Sequence, residues 1–193
     1  MPPSVAPATG LPSETPESGQ VPAGATITRL FSLDKRTIVV TGAGRGLGIV
    51  LATAVVEAGA DVVCLDVLPM PSEREWNAMS KIHKALGTHA SYHQCDITKE
   101  DAVIAVLGEV GDEAAKRGKP IRGLISCAGI QQMTDAIDYP VDGFKRVLEV
   151  NVTGSFLVAK HAARIMREGG NSGSILFIAS MSGQIANRVG YEF

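Results

Sequence analysis

The stretch Thr41-Gly42-Ala43-Gly44-Arg45-Gly46-Leu47-Gly48 constrains this chain more than any other. It follows the β-branched run Thr37-Ile38-Val39-Val40 and opens onto a long apolar segment. The order therefore reads strand, glycine-rich turn, helix. Glycine lets a chain reverse tightly, lets backbone approach a bulky anion, and lets a helix pack closely on a strand. A helix starting here presents unpaired N–H groups and a positive dipole end to a pyrophosphate. Turns are glycine-rich in general, so the motif gains weight only from its context: the strand before it, the helix after it and an acid further on.

The remaining elements extend that unit. Leu47, Val50, Leu51, Ala54, Val55 and Ala58 recur at helical spacing, which predicts one apolar face ending at Gly59. Asp61 to Asp66 reads as a strand buried on both faces. A helix carrying Trp76, Met79, Ile82 and Leu86 follows, then a strand at 90–94, a helix from Thr98 or Lys99, and a strand at 121–126. One long helix is expected over about Asp142 to Arg167, and a fifth strand over Gly173 to Ala179. Strands alternating with helices at this spacing predict βαβ units and an α/β fold with a doubly wound, mainly parallel sheet. Ligands of such sheets bind at the carboxyl ends of the strands.

Composition narrows the function classes. The 193 residues suffice for one domain with a sizeable core, and 45% hydrophobic with 20% charged residues is ordinary for a soluble protein. A net charge of -2 gives no pull toward nucleic acid or an anionic membrane, and no apolar run reaches the roughly 18 residues a span needs. Cys64, Cys95 and Cys127 have no Cys-x-x-Cys spacing and read as reduced thiols, so the expected compartment is the cytoplasm. His89 and His93 flank a predicted strand and share no helix face, so no metal site is expected. Residues 1 to 28 hold six of the ten prolines, with Glu14 and Glu17 the only charged side chains. Such a segment cannot bury enough apolar surface to offset its ordering entropy, and a disordered tail is expected before a nucleotide-binding domain over 29–193.

Four polar residues fall at strand ends or on the long helix. Asp66 ends the second strand, where a carboxylate can accept both hydroxyl hydrogens of an adenosine ribose and repel a 2′-phosphate. That favours NAD over NADP, although Arg45 in the turn could support a phosphate, and a simple turn aspartate is the plain alternative. Asp96 either reaches toward an adenine ring or caps the next helix. Asn151 falls on the expected apolar stripe Phe144, Val147, Leu148, Ser155, Val158 and Ala162, so it needs partners, structural or through a water in a site. Ser180 closes the fifth strand, where a hydroxyl faces the ligand crevice and could bond a carbonyl or alcohol oxygen.

Together these residues resemble the short-chain dehydrogenase/reductase family. The matches are Thr41-Gly42-x-x-x-Gly46-x-Gly48, Asp66, Asp96, Ala128-Gly129, Asn151 and Ser180, in the family's order. The resemblance implies a Rossmann-type fold and hydride transfer between a nicotinamide and a carbonyl or alcohol. It implies NAD, or NADP, at Gly42, Arg45, Gly46, Leu47, Gly48, Asp66, Asp96, Ile97, Cys127, Ala128 and Gly129. It gives Ser180 the substrate oxygen to polarise, and Asn151 a water linking the family's catalytic lysine to solvent. The context Ser180-Met181-Ser182-Gly183-Gln184-Ile185 is most similar to fungal enzymes of sugars and polyols, such as arabinitol or sorbose. A small-molecule carbonyl or alcohol substrate and a homo-oligomeric full-length form are implied; nucleic acid and membrane are not.

Two positions depart from the family pattern. Ser126-Cys127-Ala128-Gly129 stands where the family usually has Asn-Asn-Ala-Gly, which removes a side-chain amide from that turn. The family's Tyr-x-x-x-Lys follows the serine, and Tyr191 comes eleven residues after Ser180, but its lysine would fall at position 195, past Phe193. The expectation is a sheet incomplete at its C-terminal side and an inactive, truncated chain. The alternative is a non-catalytic dinucleotide-binding or interaction protein.

Overall fold

The computed structural model describes residues 30–184. The expectations for the proline-rich tail and for Tyr191 lie outside these residues. Among the described residues a five-stranded parallel sheet runs through β1 (Thr37–Thr41), β2 (Asp61–Asp66), β3 (Ala90–Gln94), β4 (Ile121–Ser126) and β5 (Ser174–Phe177). The spatial order is β3-β2-β1-β4-β5. The helices are α1 (Gly46–Glu57), α2 (Glu73–Leu86), α3 (Glu100–Lys116), α4 (Val141–Leu148) and α5 (Ser155–Glu168). A π-helical segment, Glu149–Gly154, joins the last two.

Strand alternation sorts the core into two layers. Val39, Val63, Leu65 and Leu124 face α3 and α5 and meet Val103, Leu107, Val110, Val158 and Ala162. Ile38, Val40, Val62 and Cys64 face α1 and α2 and meet Ala52, Val55, Val56 and Met79. Helices cover both faces, which makes the sheet doubly wound as expected. Fully burying an aliphatic side chain of this kind contributes about 1.5–3 kcal/mol. The strand order reverses between β1 and β4, and the tips of those two strands bound the crevice where such sheets bind ligands.

Two helical expectations need correction. The buried face of α1 is Gly48, Ile49, Ala52, Val55 and Val56, whereas Leu47 and Val50 are 53% and 59% exposed. This helix is apolar nearly all round, so spacing alone does not fix its rotation. The phase is set by Gly48, whose missing Cβ would collide with the Gly42 carbonyl.

The long helix is interrupted by the π segment, and an extra residue in a turn rotates everything beyond it. The expected stripe therefore splits. Ser155, Val158 and Ala162 are buried, but Phe144 and Leu148 are exposed, and so is Asn151. Gly154 lies against Ile97, where a Cβ would come within 2.8 Å of Cγ1. The fifth strand is also shorter than expected, ending at Phe177.

Candidate active site

Three strand tips are tied together by side chain to main chain bonds. Thr41, fully buried at the end of β1, accepts through Oγ1 from the N–H groups of Cys127 and Ala128, both at 3.1 Å. Gly42 sits at φ +67°, and a Cβ there would lie 2.7 Å from the Ala128 Cα. Only glycine combines that conformation with so close an approach. On the other side, Asp66 Oδ2 accepts from Gly44 N at 2.8 Å, and Oδ1 accepts from Leu68 N at 3.1 Å. The Tyr92 hydroxyl donates to the Leu68 carbonyl at 2.7 Å, and burial first, then the Asp66 charge, pushes its phenol up to about 12.

These ties frame an open cavity of about 350 Å³. Its walls include Gly42, Arg45, Gly46, Leu47, Gly48, Asp66, Asp96, Ile97, Cys127, Ala128 and Gly129, so every cofactor candidate named from the sequence lies on one surface. The cavity also touches Val67, Leu68, Cys95, Ile130, Arg146 and Val150, which sequence reasoning missed. Only the neighbourhood of the named residues in the chain could have signalled most of them; nothing in the sequence points to Arg146. The Thr41 hydroxyl belongs with these, and its signal in the sequence is a threonine closing a buried strand.

The chemistry of this surface suits an anionic nucleotide. No side chain is near the position a Cβ would take on Gly46, and the first turn of α1 carries no acidic residue. Its first-turn N–H groups therefore form an unobstructed positive helix end with no acidic side chain of the same turn against it. Asp96 lines the cavity, and it also makes the local turn weighed for it, its Oδ1 accepting from Thr98 N at 3.0 Å and Thr98 Oγ1 at 2.8 Å, while the helix itself starts from Lys99. Burial opposes its ionisation, but the Thr98 bonds and the nearby Arg146 and Lys99 charges outweigh it and hold the carboxyl below its ordinary value. The thiols are not activated. Burial raises Cys95 and Cys127, and burial with the Asp66 charge pushes Cys64 up to about 12. Among the described residues no cluster of three His, Cys, Asp or Glu side chains is arranged to hold a metal.

Asn151 and Ser180 stand outside the cavity wall. Asn151 leaves the π segment and grips one residue twice: Oδ1 accepts from Ile130 N and Nδ2 donates to the Ile130 carbonyl, both at 2.9 Å. Its partners are thus structural, on the turn that carries Gly129. Ser180 caps a short 3₁₀ turn, Met181–Gly183, after β5, and its Oγ accepts from Ser182 N at 3.1 Å.

A family model described as short chain dehydrogenase matches residues 36–191. The chain belongs to the short chain dehydrogenase family. Its relatives include a "Short chain dehydrogenases/reductase notP'" of Aspergillus versicolor, 43% identical over 84% of this chain and 54% of that protein. A D-arabinitol 2-dehydrogenase (ribulose-forming) of Scheffersomyces stipitis is 32% identical over 84% of this chain and 60% of the relative. Among solved structures, a short-chain type dehydrogenase/reductase from Mycobacterium marinum superposes with a TM-score of 0.73 at 33% identity, covering 84% of this chain and 63% of that one. An NAD+-bound xylitol dehydrogenase gives 0.68 at 32% identity, covering 81% and 57%. The chain thus spans between 54% and 63% of the length of these relatives.

The turn after β4, one of the two positions that depart from the family resemblance, carries Ser126-Cys127. The Cys127 N–H still bonds Thr41. Ser126 Oγ, by contrast, is buried with no hydrogen-bond partner among the described residues.

Proposed function

We propose that this chain is the cofactor-binding part of an NAD-preferring oxidoreductase that moves a hydride between the nicotinamide and a CH–OH or carbonyl carbon. The observation that carries this is the convergence of all eleven cofactor candidates on one cavity at the switch point of the sheet. The first turn of α1 holds the pyrophosphate, Asp66 accepts from the ribose hydroxyls, and the Asp96–Ile97 and Cys127–Gly129 segments hold the adenine and the remainder of the cofactor through packing and main chain. The bound nicotinamide supplies the hydride acceptor or donor. Ser180 polarises the substrate oxygen, and Asn151 positions a water for proton exchange. Sugars or polyols are the substrate class, supported by relatives named as D-arabinitol and galactitol dehydrogenases and by the xylitol dehydrogenase structure. The exposed apolar side chains of Phe144, Leu148, Val152 and Phe156 support a homo-oligomer, and three unpaired thiols support a cytoplasmic setting.

A second reading is binding without turnover. It is favoured by the commitment of both groups of the Asn151 amide to Ile130 and by the absence of Asn151 and Ser180 from the cavity lining.

Thermal shifts with NADH and NADPH test the cofactor. NADH is expected to raise the melting temperature more, and Asp66→Ala to shrink the difference; an unchanged preference in that variant would remove Asp66 from the role. NADH formation from arabinitol, xylitol or galactitol by the purified protein then separates turnover from binding alone.

A further inference from the structure

Arg146 is a cation in the wall of the cavity that the glycine motif did not announce. It reaches the cavity from α4, together with Val150 from the π segment, while the other wall residues come from a strand tip, the turn beyond it or the first turn of α1. The strand order sets the tips of β3, β2, β1 and β4 side by side, so the β3 tip is the end farthest from the β1–β4 crevice. The Arg146 charge acts on Asp96 at that far end. The same guanidinium donates from Nη1 to Glu149 Oε2 at 2.8 Å, one turn along the helix. An exposed arginine ordinarily samples many rotamers, and ordering it costs up to about 2 kcal/mol. Here a carboxylate one turn along holds it ahead of any ligand, and its side chain, 47% exposed, forms part of the cavity wall.

We infer that Arg146 forms the adenine-side wall of the dinucleotide site, offering the flat face of its guanidinium to the base, with Glu149 as the positioning residue that keeps it there. Guanidinium planes stack on nucleobases, and the arginine charge on an aromatic face gains most where water is partly excluded. Two carboxylates, Asp66 and Asp96, line the same end of the cavity and would make it repel a nucleotide if no cation offset them. Arg146, carried on α4 rather than on α1, supplies that offset. This role rests on the cavity being a dinucleotide site.

The test is binding of 5′-AMP, NADH and NADPH to the whole chain and to Arg146→Met, which keeps the length of the stem and removes the planar cation. AMP and NADH are both expected to bind about three- to tenfold more weakly, by the same factor. Arg146→Lys, which keeps the charge but not the plane, is expected to recover only part of the loss. Glu149→Gln is expected to weaken AMP binding in the wild-type background and to have no effect in Arg146→Met, the signature of acting through the arginine. Unchanged AMP affinity in Arg146→Met overturns the role. A loss confined to NADPH also overturns it, because Arg146 would then be reading a 2′-phosphate. Wild-type protein that binds neither AMP nor NADH overturns the proposed function itself, whereas wild-type binding matched by the variant overturns only the part given to Arg146.

Discussion

Asn151 holds Ile130 by both of its main-chain groups, accepting from its N–H and donating to its carbonyl at 2.9 Å each. A side-chain amide carries an acceptor and a donor side by side, so it can hold the N–H and the C=O of one residue at once. The helix meets the β4 turn at the π segment, with Asn151 lying against Gly129 at ordinary contact distance. The amide thus fixes the turn that forms one side of the cavity.

Asn151→Ala is expected to cost about 1 kcal/mol of stability, because water can reach the freed groups of the exposed Ile130. It should also weaken NADH binding several-fold by loosening the Gly129–Ile130 turn. Asn151→Asp should be worse than Ala, since it sets a carboxylate against the Ile130 carbonyl. Chemical denaturation and nucleotide titration of the two variants check both orders; an aspartate variant as stable as wild type would contradict the pairing.

Thr41 bonds two amides with one buried hydroxyl. Thr41→Val keeps the volume and strands both N–H groups, so a loss of about 2 kcal/mol or more is expected. Thr41→Ser keeps the acceptor and should cost less than half as much. Equal losses in the two variants would mean that packing, not the hydroxyl, matters at this position.

Gly48 and Gly108 predict opposite signs. Gly48→Ala drives a methyl group into the Gly42 carbonyl and must push α1 off β1. Destabilisation of at least about 1–3 kcal/mol is expected, together with loss of NADH binding. Gly108 lies exposed within α3 with nothing near a new Cβ. Gly108→Ala should therefore stabilise by about 0.5–1 kcal/mol. Melting curves of the pair decide the matter.

Acid sensitivity should originate at the opposite end of the sheet. Buried Asp61 accepts from Lys119 Nζ at 2.8 Å, Arg117 Nε at 3.1 Å and His89 N at 2.9 Å. Burial raises its pKa, but these partners outweigh burial and hold it below the ordinary carboxylate value. Its contribution is therefore complete above the unfolded value of about 3.9 and is lost as pH falls from there through the folded value. His89 is also lowered, first by burial and then by the Arg117 charge, so the unfolded chain takes up its proton first as pH drops below about 6.5. Both groups make stability fall toward acid, His89 in the upper window and Asp61 in the lower. Asp61→Asn should flatten the lower limb and, because the Asp61 charge opposes the lowering of His89, steepen the upper one, whereas His89→Gln should flatten the upper limb in a pH series of denaturation midpoints. A lower limb unchanged by Asp61→Asn would show that another carboxylate dominates.

The fold was legible in the sequence because its signals are local and repeated. β-Branched runs, glycine stops and apolar helical spacing mark each element within a dozen residues, and their alternation leaves few topologies. The glycine turn and Asp66 were legible for a further reason. Each satisfies a backbone or charge requirement that few residue types can meet, so the residue name carries the geometry.

Rotation and long-range pairing were not legible. An all-round apolar α1 has no preferred face until Gly48 meets the Gly42 carbonyl. The helix from Val141 to Glu168 loses its sequence phase at Glu149–Gly154, which took Asn151 off the expected buried stripe. The contact of Arg146 with the cavity and the ion cluster at Asp61, whose partners lie 56 and 58 residues away, follow from chain reversal rather than from any local pattern. The sequence by itself determined the elements, their order and the residue types that a dinucleotide turn needs. Tertiary structure alone decided which faces are buried, which amide holds which turn and which cation lines the cavity, because those depend on distances between segments that share no neighbourhood along the chain.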